Sequence, residues 1–315
     1  MADWRPPLSA IERLSPALAA AHDKLVDKRR VPSVNLPALA RRDAPFMSTW
    51  VADEGRTFVS CDFSSLEPSI SAHFSQDPYY SYATFGGIGR LPYIDHAGVL
   101  MIDDVYLMTA SVMPGIGETI RAFFQDVENC RQWLKDKESI TGHKLIKPLR
   151  SKAKPACLGF NYGMGPKRFV NQSYEAGSNV TLSEAKAMYK AYWELFAGVG
   201  KLAKKLEALL KKNGSIVNPF GYRLTPESHK GYNAFIQSSA SGVVDVLALD
   251  FFTSCPEARF IAFIHDEIIF DIDDALLDYS LKVKNECVDR LNKTLGWSVP
   301  MRLGFCPAKT FAGFK

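Results

Sequence analysis

Two short apolar runs, ARFIAFI at 258–264 and EIIFDI at 267–272, are separated by only His265 and Asp266. Strand-forming segments joined by two residues have little choice but an antiparallel hairpin, so the chain must build at least part of its core on such a sheet. The hairpin also sets an aspartate in a tight turn beside apolar strands. RTFVSCDF at 56–63, rich in β-branched and aromatic residues, reads as a further buried strand that ends at a second aspartate, Asp62.

Elsewhere the apolar spacing is helical. SLEPSISAHFS at 65–75 and the stretch from Gly117 to Lys137 both read as helix. Thr181 opens another with a capping box closed by Glu184, and this helix and its successor run to the stop signal Asn213-Gly214. SIVNPFGYRL at 215–224 reads as a hairpin, YNAFIQSSASGVVDVLALDFF at 232–252 as a largely apolar helix, and Asp274 to Leu295 as the last helix. Strand, helices, hairpin and helix in that order predict an α+β fold, a layered domain with a helical insertion. Ahead of it, the first 45 residues hold one short helical pattern, SAIERLSPALAAAHDKLV, and a proline-broken extended stretch, RRVPSVNLPALARR.

At 315 residues and 47% apolar, the chain can bury one large core or two smaller ones. Its longest apolar runs are about half a bilayer span, and MADWRPPLSAIERL lacks the basic-then-apolar order of a signal peptide, so a cytoplasmic protein with no membrane partner is expected. Six scattered cysteines without a CxxC pair read as free thiols in a reducing compartment rather than a zinc site. The net charge of +4 is unevenly spread. From Ser139 to Tyr174 no acidic residue occurs, while Lys144, Lys147, Arg150, Lys152, Lys154, Lys167 and Arg168 do. A solvated face is the bland explanation; interleaved Phe160, Tyr162 and Phe169 favour a surface that binds phosphates and stacks bases.

Asp62 and Asp266 stand where a carboxylate would be partly desolvated, and therefore costly without a positive partner. Each alone is an ordinary turn or cap residue. Together with the basic segment between them they suggest carboxylates holding magnesium against phosphates, since magnesium takes oxygen ligands and keeps waters. Arg150, Lys154, Leu158 and Tyr162 recur every four residues, a drift of about 40° per step on a helix, and so form one stripe. A stripe beginning with two cations suits triphosphate oxygens, with Leu158 and Tyr162 against sugar and base. Pro155 implies that this helix begins near Ser151 or is kinked.

Taken in order, these segments resemble the DNA polymerases of family A. CDFSSLEPSISAHFS at 61–75 is similar to motif A, RSKAKPACLGFNYGMG at 150–165 to motif B, and IHDE at 264–267 to motif C. Weaker matches are NLP at 35–37, DVYLMTA at 104–110, NGSIVNPFGYRL at 213–224 and NAFIQ at 233–237, so the resemblance covers roughly residues 28–310. It implies a palm of antiparallel sheet and packed helices at 46–75 and 215–315, helical fingers at 76–214, and an N-terminal segment at 1–45 that is a vestigial thumb or a docking element.

The resemblance also implies roles. Asp62 and Asp266 would bind two magnesium ions, with manganese as the alternative, the Phe63 carbonyl a further ligand and Glu267 an auxiliary acid. Lys154 would serve catalysis and, with Arg150, hold the incoming deoxynucleoside triphosphate. Glu67 would exclude a ribose 2′-hydroxyl, Leu158 lie against the sugar and Tyr162 near the template base. Asn233, Gln237, His265, Arg29 and Arg30 would touch primer-template DNA.

Several residues depart from the family pattern. Leu158 stands where Phe or Tyr is usual, Ser69 and His229 where Arg is, and Pro155 follows the motif B lysine. Only 61 residues precede Asp62, too few for a long helical thumb or a proofreading exonuclease. Weak, salt-dependent DNA binding and short products are therefore expected unless a protein subunit supplies the grip. Two rivals remain: a retired polymerase kept as a DNA-binding or replication scaffold, and a relative of the single-subunit RNA polymerases, against which Glu67 argues.

Overall fold

The structure, a computed structural model, describes residues 49–175 and 179–314. They fall into two compact units. The first comprises 49–66, Val217–Arg223 and 237–314, and the second Glu67–Ile216 and Leu224–Ile236. Arg29, Arg30, the 35–37 match and the whole 1–45 segment lie outside the described residues.

The first unit is built on a four-stranded antiparallel sheet of β1 (Arg56–Asp62), β2 (Arg259–Ile264), β3 (Glu267–Asp273) and β4 (Cys306–Ala308), in the order β2-β3-β1-β4. The hairpin expected from the sequence is β2 and β3, closed by the Ile264–Glu267 pair. Both faces of the sheet are covered, which is why β3 reads as a nearly continuous apolar run. On one face Val59 and Cys61 stand opposite Phe270 and Ile268, and the Phe270 ring meets Phe251 of the Gly231–Ser254 helix at 4.7 Å. On the other, Phe58, Ala262, Ile264, Ile269 and Phe311 form a cluster closed by Trp50 and Phe314. Arg56 grips buried Asp271 with two hydrogen bonds of 2.9 and 3.0 Å, so that charge is paired where it is buried.

The helix Gly231–Ser254 is long and apolar enough to cross a bilayer, but 67% of its most apolar stretch is buried inside the protein. It is a core helix, apolar over most of its surface because most of it is packed. Gly242 lets Phe220 lie against it, since a Cβ there would come within 2.4 Å of the ring.

The second unit is mainly helical, with Trp133, Tyr80, Tyr192, Phe160 and Phe196 fully buried. Thr181 and Glu184 form the expected capping box at the start of Leu182–Leu195, and the following helix, Ala197–Asn213, stops at Gly214 in the left-handed region, φ 69°. Two local expectations are corrected. The stretch 117–137 is not one helix: it breaks at Asp126, whose carboxylate accepts from the Glu128 amide and starts Val127–Lys135 afresh. The motif B helix starts at Ile146 rather than near Ser151 and carries Pro155 in its interior. Pro155 and Ser151 are both exposed, so water can serve the carbonyl that the proline leaves without an amide partner.

All six cysteines are free and five are buried. Burial pushes the Cys61 and Cys157 thiols up to about 12, the state of inert core residues.

Candidate functional site

In the first unit Asp62, Asp266 and Glu267 stand at one end of the sheet. β1 ends at Asp62, which stands directly opposite Glu267 in the β1–β3 register. The turn between β2 and β3 is His265-Asp266, with exposed His265 in the left-handed region at φ 57°. The Phe63 amide donates to the Asp266 carbonyl at 3.3 Å, and the Gly304 amide to the Asp62 carbonyl at 2.8 Å. Main-chain bonds therefore hold both aspartates at the same strand end. The Phe63 side chain is buried and fixes the chain immediately after Asp62.

The Ser60 hydroxyl donates to the Glu267 carboxylate, as expected for residues on the face that Asp62 shares. Two carboxylates facing each other across a strand pair repel, and a cation removes the penalty. Partial desolvation was expected of both aspartates. Asp266 is half-buried as expected, but Asp62 is exposed, because β1 runs out to the surface at its last residue. Solvent ions can therefore reach it. Among the described residues no three His, Cys, Asp or Glu side chains form a self-sufficient metal cluster. The donor set fits a hard cation that brings waters and phosphates, not a closed structural site. Gln237, on the Gly231–Ser254 helix, is exposed in this unit.

In the second unit the stripe lies on the Ile146–Asn161 helix, with Tyr162 as its C-cap. Ala153, Ala156, Cys157 and Phe160 are its buried side. Lys154 and Tyr162 are exposed while Arg150 and Leu158 are half-buried, so the stripe does not turn into the core. Gly163, at φ 77°, ends the helix where a Cβ would meet the His229 carbonyl at 3.0 Å.

Each polar member of the stripe is held by a residue from elsewhere in the unit. The Arg150 guanidinium donates from Nε to Asp104 at 2.9 Å. Its Cζ lies 4.9 Å from the centre of the Tyr106 ring, and Lys154 Nζ lies 5.6 Å from the same ring. The Tyr162 hydroxyl donates to Glu67. Burial first, and then the Glu67 contact, hold the Tyr162 phenol above its ordinary range. Burial likewise pushes Tyr106 up to about 12, so its ring stays neutral. Just before the cap, Asn161 donates to the Tyr80 hydroxyl at 3.1 Å and accepts from Tyr192 at 2.6 Å. Asn233, half-buried, has an Oδ1 with no hydrogen-bond partner.

Sequence reasoning missed Asp104 and Tyr106. The available signal was an aspartate directly before an apolar helical run: Asp104 caps Val105–Val112, its other oxygen accepting from the Leu107 amide at 2.8 Å. Nothing in the local sequence indicates that Tyr106 meets a helix some forty residues later.

The sequence model described as DNA polymerase family A matches residues 133–312, more than half of the chain. The chain belongs to that family. Among its relatives, DNA polymerase I of Rhizobium leguminosarum is 22% identical over 85% of this chain and 24% of its own length. The DNA polymerase of Mycobacterium phage D29 is 26% identical over 76% of this chain and 32% of its own. This chain thus spans about a quarter to a third of these two relatives. In fold it is similar to the polymerase domain of Pol1 from M. smegmatis, solved in complex with DNA primer-template and dNTP. The TM-score is 0.66 at 18% identity, over 89% of this chain and 45% of that one. The fold is therefore the α+β polymerase fold.

Proposed function

We propose that the chain is a DNA-directed DNA polymerase that extends a primer 3′ end with deoxynucleotides by two-metal phosphoryl transfer. The palm, at 46–75 and 215–315, carries the sheet of the first unit, and the fingers, at 76–214, fall within the second. The observation that carries the reading is the carboxylate end of the sheet, where Asp62 faces Glu267 and the Phe63 amide ties Asp266 beside them. Asp62, Asp266 and the Phe63 carbonyl would hold the ions. Magnesium, or manganese in its place, would supply there the charge that lowers the pKa of the primer hydroxyl and neutralises the leaving pyrophosphate.

Arg150 and Lys154 orient the triphosphate as paired cations, and Lys154 faces its developing negative charge. Glu67, held by Tyr162, fills the space a ribose 2′-hydroxyl would need, while Leu158 lies against the sugar. Asn233, Gln237 and His265 contact primer-template DNA, as Arg29 and Arg30 do from the N-terminal segment. The reading includes low processivity and no proofreading, with a protein subunit supplying the grip, in the cytoplasm of a bacterium or phage-infected cell.

Primer extension with magnesium, primer-template and either deoxy- or ribonucleotides tests the reading. Extension with deoxynucleotides that Asp62→Ala abolishes supports it. Extension equal in parent and variant, or no extension by either, leaves the scaffold reading. A preference for ribonucleotides favours the RNA polymerase relative.

A further inference from the structure

Lys284 is the only lysine or arginine among the described residues that is buried, and the site described above does not use it. It lies on the Leu277–Leu295 helix of the first unit, and its Nζ donates to the Leu303 carbonyl at 3.1 Å. No carboxylate among the described residues pairs with it, so a single carbonyl dipole opposes the cost of taking a lysine out of water. An apolar side chain would fill the space at lower cost, since Cys61, Phe251 and Ile268 line the same small cavity.

The carbonyl that Lys284 takes belongs to the segment bracing the acidic strand end. The Ser64 amide donates to the Arg302 carbonyl at 2.9 Å and the Gly304 amide to the Asp62 carbonyl at 2.8 Å, with Phe63 and Leu303 facing each other between them. In this antiparallel pattern the main-chain groups of the facing pair point away from each other. Leu303 therefore turns its carbonyl to Lys284, and Phe63 turns its amide, and with it its carbonyl, toward Asp266. The segment is tied to the same helix a second time by Asn292, which takes both main-chain groups of Met301, at 2.9 and 2.7 Å.

We propose that Lys284 is a positioning residue for the cation site: by holding Leu303 it keeps 302–304 paired with the end of β1, and so fixes the Asp62 carboxylate and the Phe63 carbonyl for a divalent cation. Lys284 acts through the main chain and touches neither cation nor substrate. The inference rests on the reading that Asp62 and Phe63 hold the cation. Replacing a buried lysine by an apolar side chain is often neutral for folding, whereas loosening the support of a ligand lowers metal affinity.

The test is hydrogen exchange of the cation-free full chain, with manganese binding by electron paramagnetic resonance, kcat and KM for primer extension and a thermal melt for each variant. In Lys284→Met the Ser64 and Gly304 amides are expected to exchange about tenfold faster. Manganese should bind about tenfold more weakly and kcat fall by a similar factor, with dNTP KM within about twofold and the melt nearly unchanged. A merely structural lysine would lower the melt and leave manganese affinity alone. Lys282→Met, exposed on the same helix, is the control and is expected to change none of these. Should Lys284→Met fail to melt cooperatively, Lys284→Leu asks the same question with a shorter side chain. If exchange at Ser64 and Gly304 stays as in the parent, or if manganese affinity does, the inference fails. Asp62→Ala separates the two levels. If it abolishes manganese binding while Lys284→Met does not weaken it, only the inference falls. If Asp62→Ala binds manganese as the parent does, the underlying reading falls with it.

Discussion

The two units place their polar groups by different means. In the first, Asp62, Asp266 and Glu267 are located by the backbone: strand register, a two-residue turn and two main-chain hydrogen bonds. In the second, Arg150, Lys154 and Tyr162 share a helix face, but their side chains are held by Asp104, Tyr106 and Glu67. Backbone placement makes a group's position robust to replacing most of its neighbours. Side-chain placement can be loosened one contact at a time, so the second unit should be adjustable where the first is all-or-none.

The largest effect breaks the acidic end. Asp266→Ala leaves the backbone bond to Phe63 intact, yet is predicted to reduce primer extension at least about a thousandfold with little change in melting temperature. Steady-state extension and a thermal melt check both halves. In the second unit the response should be graded. Lys154→Ala is expected to lower kcat/KM by about ten- to a hundredfold, the worth of a hydrogen bond to a charged group, with residual activity measurable in the same assay.

How much of this was legible in the sequence follows the same division. The register of β2 against β3 at their turn comes from the two residues that join them, so the hairpin and the position of Asp266 could be read directly from 258–272. The capping box at Thr181 and the stop at Gly214 were equally local. The break at Asp126 was not read, because both halves carry helical spacing and only the cap geometry separates them. Pro155 left two readings open, a helix that begins near Ser151 or one that carries the proline as a kink, and the local sequence could not choose between them, since it is packing of Ala153, Ala156 and Phe160 that carries the helix through. Tyr106 and Asp104 were hidden for a different reason: their partners lie 44 to 48 positions away, in another helix.

Two smaller effects sharpen the comparison. Asp104 serves the second unit twice, as a helix cap and as the Arg150 partner, so Asp104→Ala should cost about 1–2 kcal/mol of stability. Asp104→Asn keeps the cap and should recover about half of that in a denaturant titration. In the first unit, Lys309 and Thr57 hold the exposed Asp274 carboxylate below its usual range. Its contribution is therefore present above the ordinary aspartate pKa and lost as pH falls through the lower folded value. The melting-temperature gap between parent and Asp274→Asn should accordingly shrink as pH drops from about 5 toward 2. A constant gap would mean that the charge contributes nothing.

The claim on which the rest stands is that the strand end bearing Asp62 and Asp266 is a divalent-cation site. Manganese binding followed by electron paramagnetic resonance, with the full chain and dNTP, tests it most directly. The account predicts bound manganese in the parent and its loss in both Asp62→Ala and Asp266→Ala, each with an unchanged melt. Equal manganese binding by the parent and both variants would contradict it.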